Sequence, residues 1–345
     1  MAETAFEGIS IRHLYKIFGP EAKKHVEAVR GGLSKSDLND KYGHVLGLKD
    51  INIEMPGGCI QVIMGLSGSG KSTLIRHINR LIDPTAGEVL VNGADVVKMN
   101  AAELRQFRRH QTAMVFQKFA LLPHRTVLDN ALYGLEVQGM ARAKAVDIAM
   151  RWIERVGLRG FEKRYPNQLS GGMQQRVGLA RALANDAPVL LMDEAYSALD
   201  PLIRTDMQTV LLDLQKEIRK TIVFITHDLD EALRLGDQIA ILRDGEIIQQ
   251  GTSQDIVLRP ADDYVANFVK EVNRGRVIQV DAIMDPVTPE EAAGSVTVMT
   301  GTTVEDAIKV LAHDDGKNVV VTCAAGNPLG KVDLKKLAAA TVTSH

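Results

Sequence analysis

Gly65-Leu66-Ser67-Gly68-Ser69-Gly70-Lys71-Ser72 is the stretch that decides the fold. It is a complete G-x-x-x-x-G-K-[ST] loop. Ile60–Met64 before it is a short uncharged run, which reads as a strand buried on both faces. Ser72–Leu81 after it reads as a helix, and strand–loop–helix is the context such a loop needs. Successive backbone N–H groups from Gly68 to Ser72 would point at a phosphate, with the positive end of the helix behind them. Glycine is required where a Cβ would obstruct close approach or a left-handed turn. Lys71 would neutralise β- and γ-phosphate oxygens, and the Ser72 hydroxyl would ligate Mg²⁺. Ser67, Gly68, Ser69, Gly70 and Thr73 complete the expected nucleotide-binding set.

The flanking segments repeat that order. Ile9–Phe18 and Leu48–Met55 read as strands around a polar helical insert, Glu21–Gly43. Ala101–His110, Ala141–Val156 and Ser170–Ala184 read as helices, and Val189–Met192, Ile222–Ile225 and Gln238–Leu242 as buried strands. Gln208–Ile218 and Leu229–Leu235 supply the helices between them. Strands alternating with helices imply a parallel α/β sheet with functional loops at its carboxyl edge. Asn273–Gln279 looks like a boundary. Beyond it Val296–Met299, Val304–Ala312, Asn318–Thr322 and Leu334–Ala340 read as a separate β-α-β-α unit.

Five more motifs follow the glycine loop in a fixed order. They are Val115-Phe116-Gln117, Leu169-Ser170-Gly171-Gly172-Met173-Gln174, Val189-Leu190-Leu191-Met192-Asp193-Glu194, Ser197-Ala198-Leu199-Asp200 and Thr226-His227-Asp228. In that order and spacing they resemble the Q-loop, signature, Walker B strand, D-loop and switch histidine of ATP-binding cassette (ABC) ATPases. The resemblance spans residues 8 to about 270, with no catalytic substitution visible.

The resemblance implies an ABC-type P-loop domain over 1–275: a RecA-like core, an antiparallel β subdomain and a helical signature subdomain at about 118–185. Mg-ATP would be its substrate and cofactor. Asp193 would hold Mg²⁺ together with Ser72 and Gln117. Glu194 would be the general base, because polarising the attacking water needs a carboxylate within hydrogen-bond reach. His227 would contact the γ-phosphate and orient that water. Gln117 would reach Mg²⁺ or the water and sense a transport partner. Phe18 stands where such ATPases stack adenine, with Tyr15 close by as an alternative core residue. Ser170, Gly171 and Gly172 open a helix and so offer an anion site. In the ABC family that site serves the nucleotide of the opposite subunit, with Asp200 on the dimer seam. A homodimer closed around ATP is therefore implied.

Lys23-Lys24-His25-Val26 through Gly31-Gly32-Leu33-Ser34-Lys35, with Met64, Leu66 and Met192-Asp193-Glu194-Ala195-Tyr196, resembles the ATPases of glycine betaine, proline betaine and choline importers. This implies an integral membrane permease as partner and an extracytoplasmic solute-binding protein acting through it. It also implies a peripheral position on the cytoplasmic face of the bacterial inner membrane. Val298–Leu311, Asn318–Val321 and Gly326–Leu334 resemble a single cystathionine-β-synthase (CBS) motif within 276–345. Phe119–Arg125 and Val127–Tyr133 are the candidate permease-docking surface.

Composition agrees with a soluble domain pair. At 345 residues one large and one small domain fit. A formal net charge of -2 provides no basic field, which disfavours a nucleic-acid partner. Cys59 and Cys323 lack metal-type spacing and read as free thiols. The acidic N-terminus shows no secretory pattern, and no apolar run approaches the roughly 18 residues that span a bilayer. Import of another small solute, a soluble ABC protein acting on DNA or ribosomes, a nucleotide sensor and an exporter remain as alternatives.

Overall fold

The computed structural model describes residues 7–117, 119–197, 199–288, 292, 295–314 and 318–341. Two compact units form, one from Met1–Asp228 with Leu235–Ile248, the other from Leu229–Arg234 with Gln249–His345.

The first unit is built on a six-stranded sheet. Its strands are β3 (Ile60–Met64), β6 (Thr112–Phe116), β7 (Val189–Asp193), β8 (Thr221–Thr226), β9 (Gln238–Arg243) and β10 (Glu246–Gly251), in the order β10-β9-β3-β8-β7-β6. The pairs β3–β8, β3–β9, β6–β7 and β7–β8 are parallel. Every residue of β3, β7 and β8 is buried, as apolar strands covered on both faces require, and the one charge among them is Asp193 at the end of β7. A four-stranded antiparallel sheet, β2-β1-β4-β5, joins β1 (Gly8–Phe18), β2 (Val45–Pro56), β4 (Ala86–Val91) and β5 (Ala94–Asp95). One apolar core connects the two sheets. Ile9, Ile11, Leu48 and Ile51 meet Ile63, Ile225 and Leu242 through Leu74, Ile75 and Ile78 of the phosphate-loop helix Lys71–Ile78. That helix is thus anchored from both sides, which fixes the loop in front of it.

The helical segment contains Val127–Ala131, Tyr133–Val137, Arg142–Arg155 and the signature helix Gly171–Ala184. Ala145, Ala149 and Ile153 recur at helical spacing as the buried stripe of Arg142–Arg155, which packs against the signature helix.

The second unit holds a three-stranded sheet of β11 (Val296–Met299), β12 (Asn318–Thr322) and β13 (Pro328–Asp333), in the order β11-β12-β13. β11 and β12 are parallel, β12 and β13 antiparallel. Val304, Ala307 and Leu311 of helix Val304–Asp314, and Leu337 of helix Leu334–Thr341, are buried together with Val319, Val321 and Val332 of the sheet.

Several elements depart from the sequence reading. β13 was not expected, because its run carries two charges and a glycine and lacks alternation over a useful length. β4, β6 and β10 are likewise additional strands. The insert between β1 and β2 is helical as expected, in Ala22–His25, Val26–Arg30 and Lys35–Tyr42, yet it is not uniformly polar. Val26, Val29 and Leu38 form their own small core with Tyr15, Ile17 and Leu46. The helix expected from Gln208 begins at Pro201, directly after Asp200 caps it. Proline at a first helical position is a start signal, since its missing N–H would be unpaired there anyway.

Candidate functional site: a phosphate-loop cleft

The glycine loop takes its shape from backbone conformations that side chains resist. Gly65 leaves β3 at φ 151°, and a Cβ there would lie 2.2 Å from the Leu242 carbonyl oxygen. Gly70 caps the phosphate-loop helix at φ 104°, with its missing Cβ 2.7 Å from the Gly47 carbonyl oxygen. Gly68, at φ 79°, faces open space. Lys71 is 4% exposed and curls back, donating from Nζ to the Gly65 and Leu66 carbonyls at 2.8 and 3.0 Å. Burial pushes its pKa below the ordinary lysine value, while the carboxylates of Glu194 and Asp193 pull it upward.

Two carboxylates, Asp193 and Glu194, stand at the end of β7. Ser72 donates from Oγ to Asp193 Oδ1 at 2.7 Å, and Arg76 donates to Asp193 Oδ2 at 3.1 Å. Glu194 adopts a left-handed φ of 47°, which turns its side chain out of the strand direction. Gln117 donates from Nε2 to Glu194 Oε2 at 2.9 Å and to Ser197 Oγ at 3.3 Å. The other oxygen, Oε1, lies 4.0 Å from Lys71 Nζ and 3.8 Å from His227 Nδ1. His227 follows β8 directly and is largely exposed.

A cleft of about 460 Å³ joins the glycine loop, Gln117 and Glu194 to β1 and β2, while Ser69, Asp193 and His227 are not among its lining. Phe18, Lys35, Val45, Leu46, Gly47, Ser67, Gly68, Gly70, Lys71, Ser72, Thr73, Gln117 and Glu194 all line it. Phe18 is half-exposed there, whereas Tyr15 is buried in the insert's core. Gly47 makes room for the ring, since a Cβ would meet Phe18 at 2.7 Å. Lys16 Nζ stands 4.9 Å from the ring centroid, a cation–π distance. Ser170, Gly171, Gly172 and Asp200 lie outside this cleft. Ser170 caps the signature helix, its Oγ accepting from Met173 N at 3.3 Å, and Asp200 Oδ1 accepts from Ile203 N at 3.1 Å. Ala198, part of the D-loop reading, lies outside the described residues.

Known proteins are similar to this chain in sequence and fold. The ABC transporter family profile matches residues 48–197. The glycine betaine transport ATP-binding protein OpuAA of Bacillus subtilis is 52% identical over 80% of this chain and 66% of its own length. The glycine betaine/proline betaine transport system ATP-binding protein ProV of Salmonella typhimurium is 46% identical over 96% of this chain and 82% of its own. A solved dimeric bacterial ABC transporter cassette superposes with a TM-score of 0.61 at 32% identity, covering 71% of this chain and 98% of the cassette. The chain belongs to the ABC transporter ATP-binding proteins.

The side chains of this ABC ATPase fit a magnesium-bound nucleoside triphosphate. Ser69 Oγ is buried and has no hydrogen-bond partner among the described residues, a donor left over inside an anion cradle. Among the described residues the hydrogen bonds of the Lys71 ammonium go to two neutral carbonyls, which a phosphate would outcompete as a charged acceptor. Ser72 and Asp193 form a pair of oxygen donors whose Oγ–Oδ1 contact a hard cation could bridge. Among the described residues no group of three or more His, Cys, Asp or Glu side chains could hold a metal.

Four contributors escaped the sequence reading. Arg76 lies one helical turn after Ser72, on the same side of the helix, and reaches Asp193 only through the fold. Ser197, read only as part of the D-loop, adds a second acceptor for Gln117, and Gly47 and Lys35 enter the cleft from distant segments to which no site role was given.

Proposed function

We propose that this chain is the ATP-hydrolysing subunit of an importer for a quaternary amine such as glycine betaine, proline betaine or choline. The observation that carries the chemistry is Glu194. A single partly buried carboxylate at the cleft has Gln117 at one oxygen and Lys71 and His227 around the other. In the proposed reaction Glu194 accepts a proton as water attacks the γ-phosphorus. The new P–O bond forms while the bond to the β-bridging oxygen breaks, and ADP leaves. Lys71 and the loop amides hold the β- and γ-phosphate oxygens, Phe18 stacks the adenine, and His227 orients the water. Ser72, Asp193 and Gln117 would hold Mg²⁺, which would supply charge neutralisation to the phosphates.

The substrate class rests on similarity to OpuAA and ProV, and the working state on the dimeric cassette. Two copies would close around ATP, each offering Ser170, Gly171, Gly172 and Asp200 to the partner's nucleotide. They would dock on a membrane permease fed by an extracytoplasmic binding protein, at the cytoplasmic face of the membrane. Among the described residues no helix is long and apolar enough to cross a membrane. The segment Phe119–Arg125 is held on helix Val127–Ala131 by Asn130, which bonds both the Leu122 N–H and carbonyl. This makes it a rigid candidate for docking. Residues 1–275 constitute the cassette in this reading, and 276–345 a single CBS-like unit that regulates it.

The deciding experiment is ATPase activity of the chain reconstituted with its permease and binding protein, with and without quaternary amines, at low and high internal salt. Stimulation by betaine or choline is the expected result, and a salt response lost on deleting 276–345 would assign the tail. Stimulation by other solutes alone would remove the amine assignment.

A further inference from the structure

Arg181 sits on the signature helix, ten positions after Gly171 in the chain, and plays no part in the chemistry described above. Its guanidinium donates from Nη1 to the Ala120 carbonyl at 2.7 Å and from Nη2 to the Phe119 carbonyl at 3.1 Å. Those two acceptors belong to consecutive non-glycine residues in the left-handed region, Phe119 at φ 55° and Ala120 at φ 46°. Two such residues in succession are unfavourable by themselves and persist only where something outside the segment holds them. A planar fork that donates to both carbonyls at once is suited to that task.

What this segment connects gives the clamp its meaning. Two residues upstream, Gln117 is bonded to Glu194 and Ser197. Downstream, the Phe119 ring reaches the start of the signature helix, its Cζ 3.9 Å from where a Cβ on Gly171 would stand. The Phe119 carbonyl lies 3.8 Å from the corresponding position on Gly178 of the same helix. Gln117 therefore touches the general-base carboxylate, while Phe119, two positions on, touches the signature glycine.

We propose that Arg181 is a positioning residue that locks Phe119 and Ala120 in their left-handed conformation, so that Gln117 and Gly171 are held in register. In a dimer closed around ATP, Gln117 and Gly171 of one chain serve different nucleotides, so the clamp would tie the geometry of one site to that of the other. The inference rests on the reading of Gln117, Glu194 and Gly171 as hydrolytic machinery. It requires no change in nucleotide affinity, because Arg181 does not line the nucleotide cleft.

The test compares the full-length wild-type chain, Arg181→Lys, Arg181→Ala and Arg181→Ala/Ala120→Gly, measuring kcat, KM and the Hill coefficient for ATP, with affinity for a fluorescent ATP analogue read separately. Arg181→Ala should lower kcat by about tenfold or more and reduce the Hill coefficient, with analogue affinity within about twofold of wild type. Arg181→Lys, which offers a point charge in place of a fork, should fall between. Ala120→Gly should restore at least about threefold of the activity lost in Arg181→Ala, because glycine occupies the left-handed region without penalty. A packing role for Arg181 would show no such rescue. Unchanged kcat in Arg181→Ala, or a double variant no better than the single one, overturns the proposal. Should Arg181→Ala fail to fold, the same rescue is read from Arg181→Lys with and without Ala120→Gly. An inactive wild-type chain would instead strike at the ATPase reading beneath it.

Discussion

Gln117 and Glu194 are 77 positions apart, yet Gln117 Nε2 stands 2.9 Å from Glu194 Oε2. The contact exists because β6 and β7 are neighbouring parallel strands with Phe116 in register with Asp193. Each strand delivers the residue just past its end to the same point. A side chain on the loop after β6 thereby reports on the carboxylate after β7, and any displacement of one is felt by the other.

Replacing that carboxylate by its amide isolates its role. Glu194→Gln should bind ATP with near wild-type affinity but hydrolyse it at below about 1% of the wild-type rate, as loss of a base worth at least about 3 kcal/mol implies. The variant should also accumulate as an ATP-bound dimer in size-exclusion chromatography. Steady-state turnover equal to wild type would remove Glu194 as the base.

Phe18 presents a half-exposed ring on the wall of the cleft. Stacking of a base on an aromatic ring contributes roughly 1–3 kcal/mol, so Phe18→Ala should weaken ATP binding by about fivefold or more, while Phe18→Trp retains it. Equilibrium titration with an ATP analogue measures this directly. Equal affinity in all three proteins would assign the ring to packing.

The signature residues lie away from the cleft that Lys71 lines, and this separates two kinds of variant. Ser170→Arg places a long cation at the start of the signature helix. It should leave nucleotide binding by the single subunit within about twofold of wild type while blocking ATP-dependent dimer formation and turnover. Analytical ultracentrifugation with ATP supplies the readout. Dimer formation undiminished in Ser170→Arg would place the seam elsewhere.

His77 carries a pH signature of its own. It is 1% exposed on the phosphate-loop helix and donates from Nδ1 to the Thr73 carbonyl at 2.6 Å. Its buried Nε2 has no partner among the described residues. Burial depresses its pKa from 6.5 to about 4. The unfolded chain therefore binds the proton more readily between these values, and stability falls as pH drops through that window. The expected loss is about 3 kcal/mol from pH 7 to below pH 4, with no contribution above about pH 7. Urea unfolding of wild type and His77→Gln across this range should show a shallower pH slope in the variant. Parallel slopes would place the acid sensitivity on other groups.

Much of this protein is legible in its sequence because its chemistry is local. The glycine loop, the buried strand before it and the helix behind it are consecutive residues, and their backbone requirements follow from residue type alone. The same holds for Asp193 and Glu194 at the end of a uniformly apolar strand. Even the candidate core of β3, β7 and β8 can be read from the absence of charge over strand length. The insert's helices were legible as helices, but their small core was not, since Val26, Val29 and Leu38 find their partners on β1 and β2.

Tertiary structure alone decided which separate motifs meet and which do not. Parallel register brings Gln117 to Glu194, and a shared cleft brings Phe18 and Lys35 to Lys71. The same folding leaves Ser170 and Asp200 at the ends of helices outside that cleft. No spacing along the chain encodes these distances, because strand order and register are set by long-range packing. Nor does residue type foretell the left-handed backbone at Glu194, Phe119 and Ala120. Such conformations are disfavoured locally for side chains of this kind and exist only because distant groups, among them the Arg181 guanidinium, outweigh the local preference.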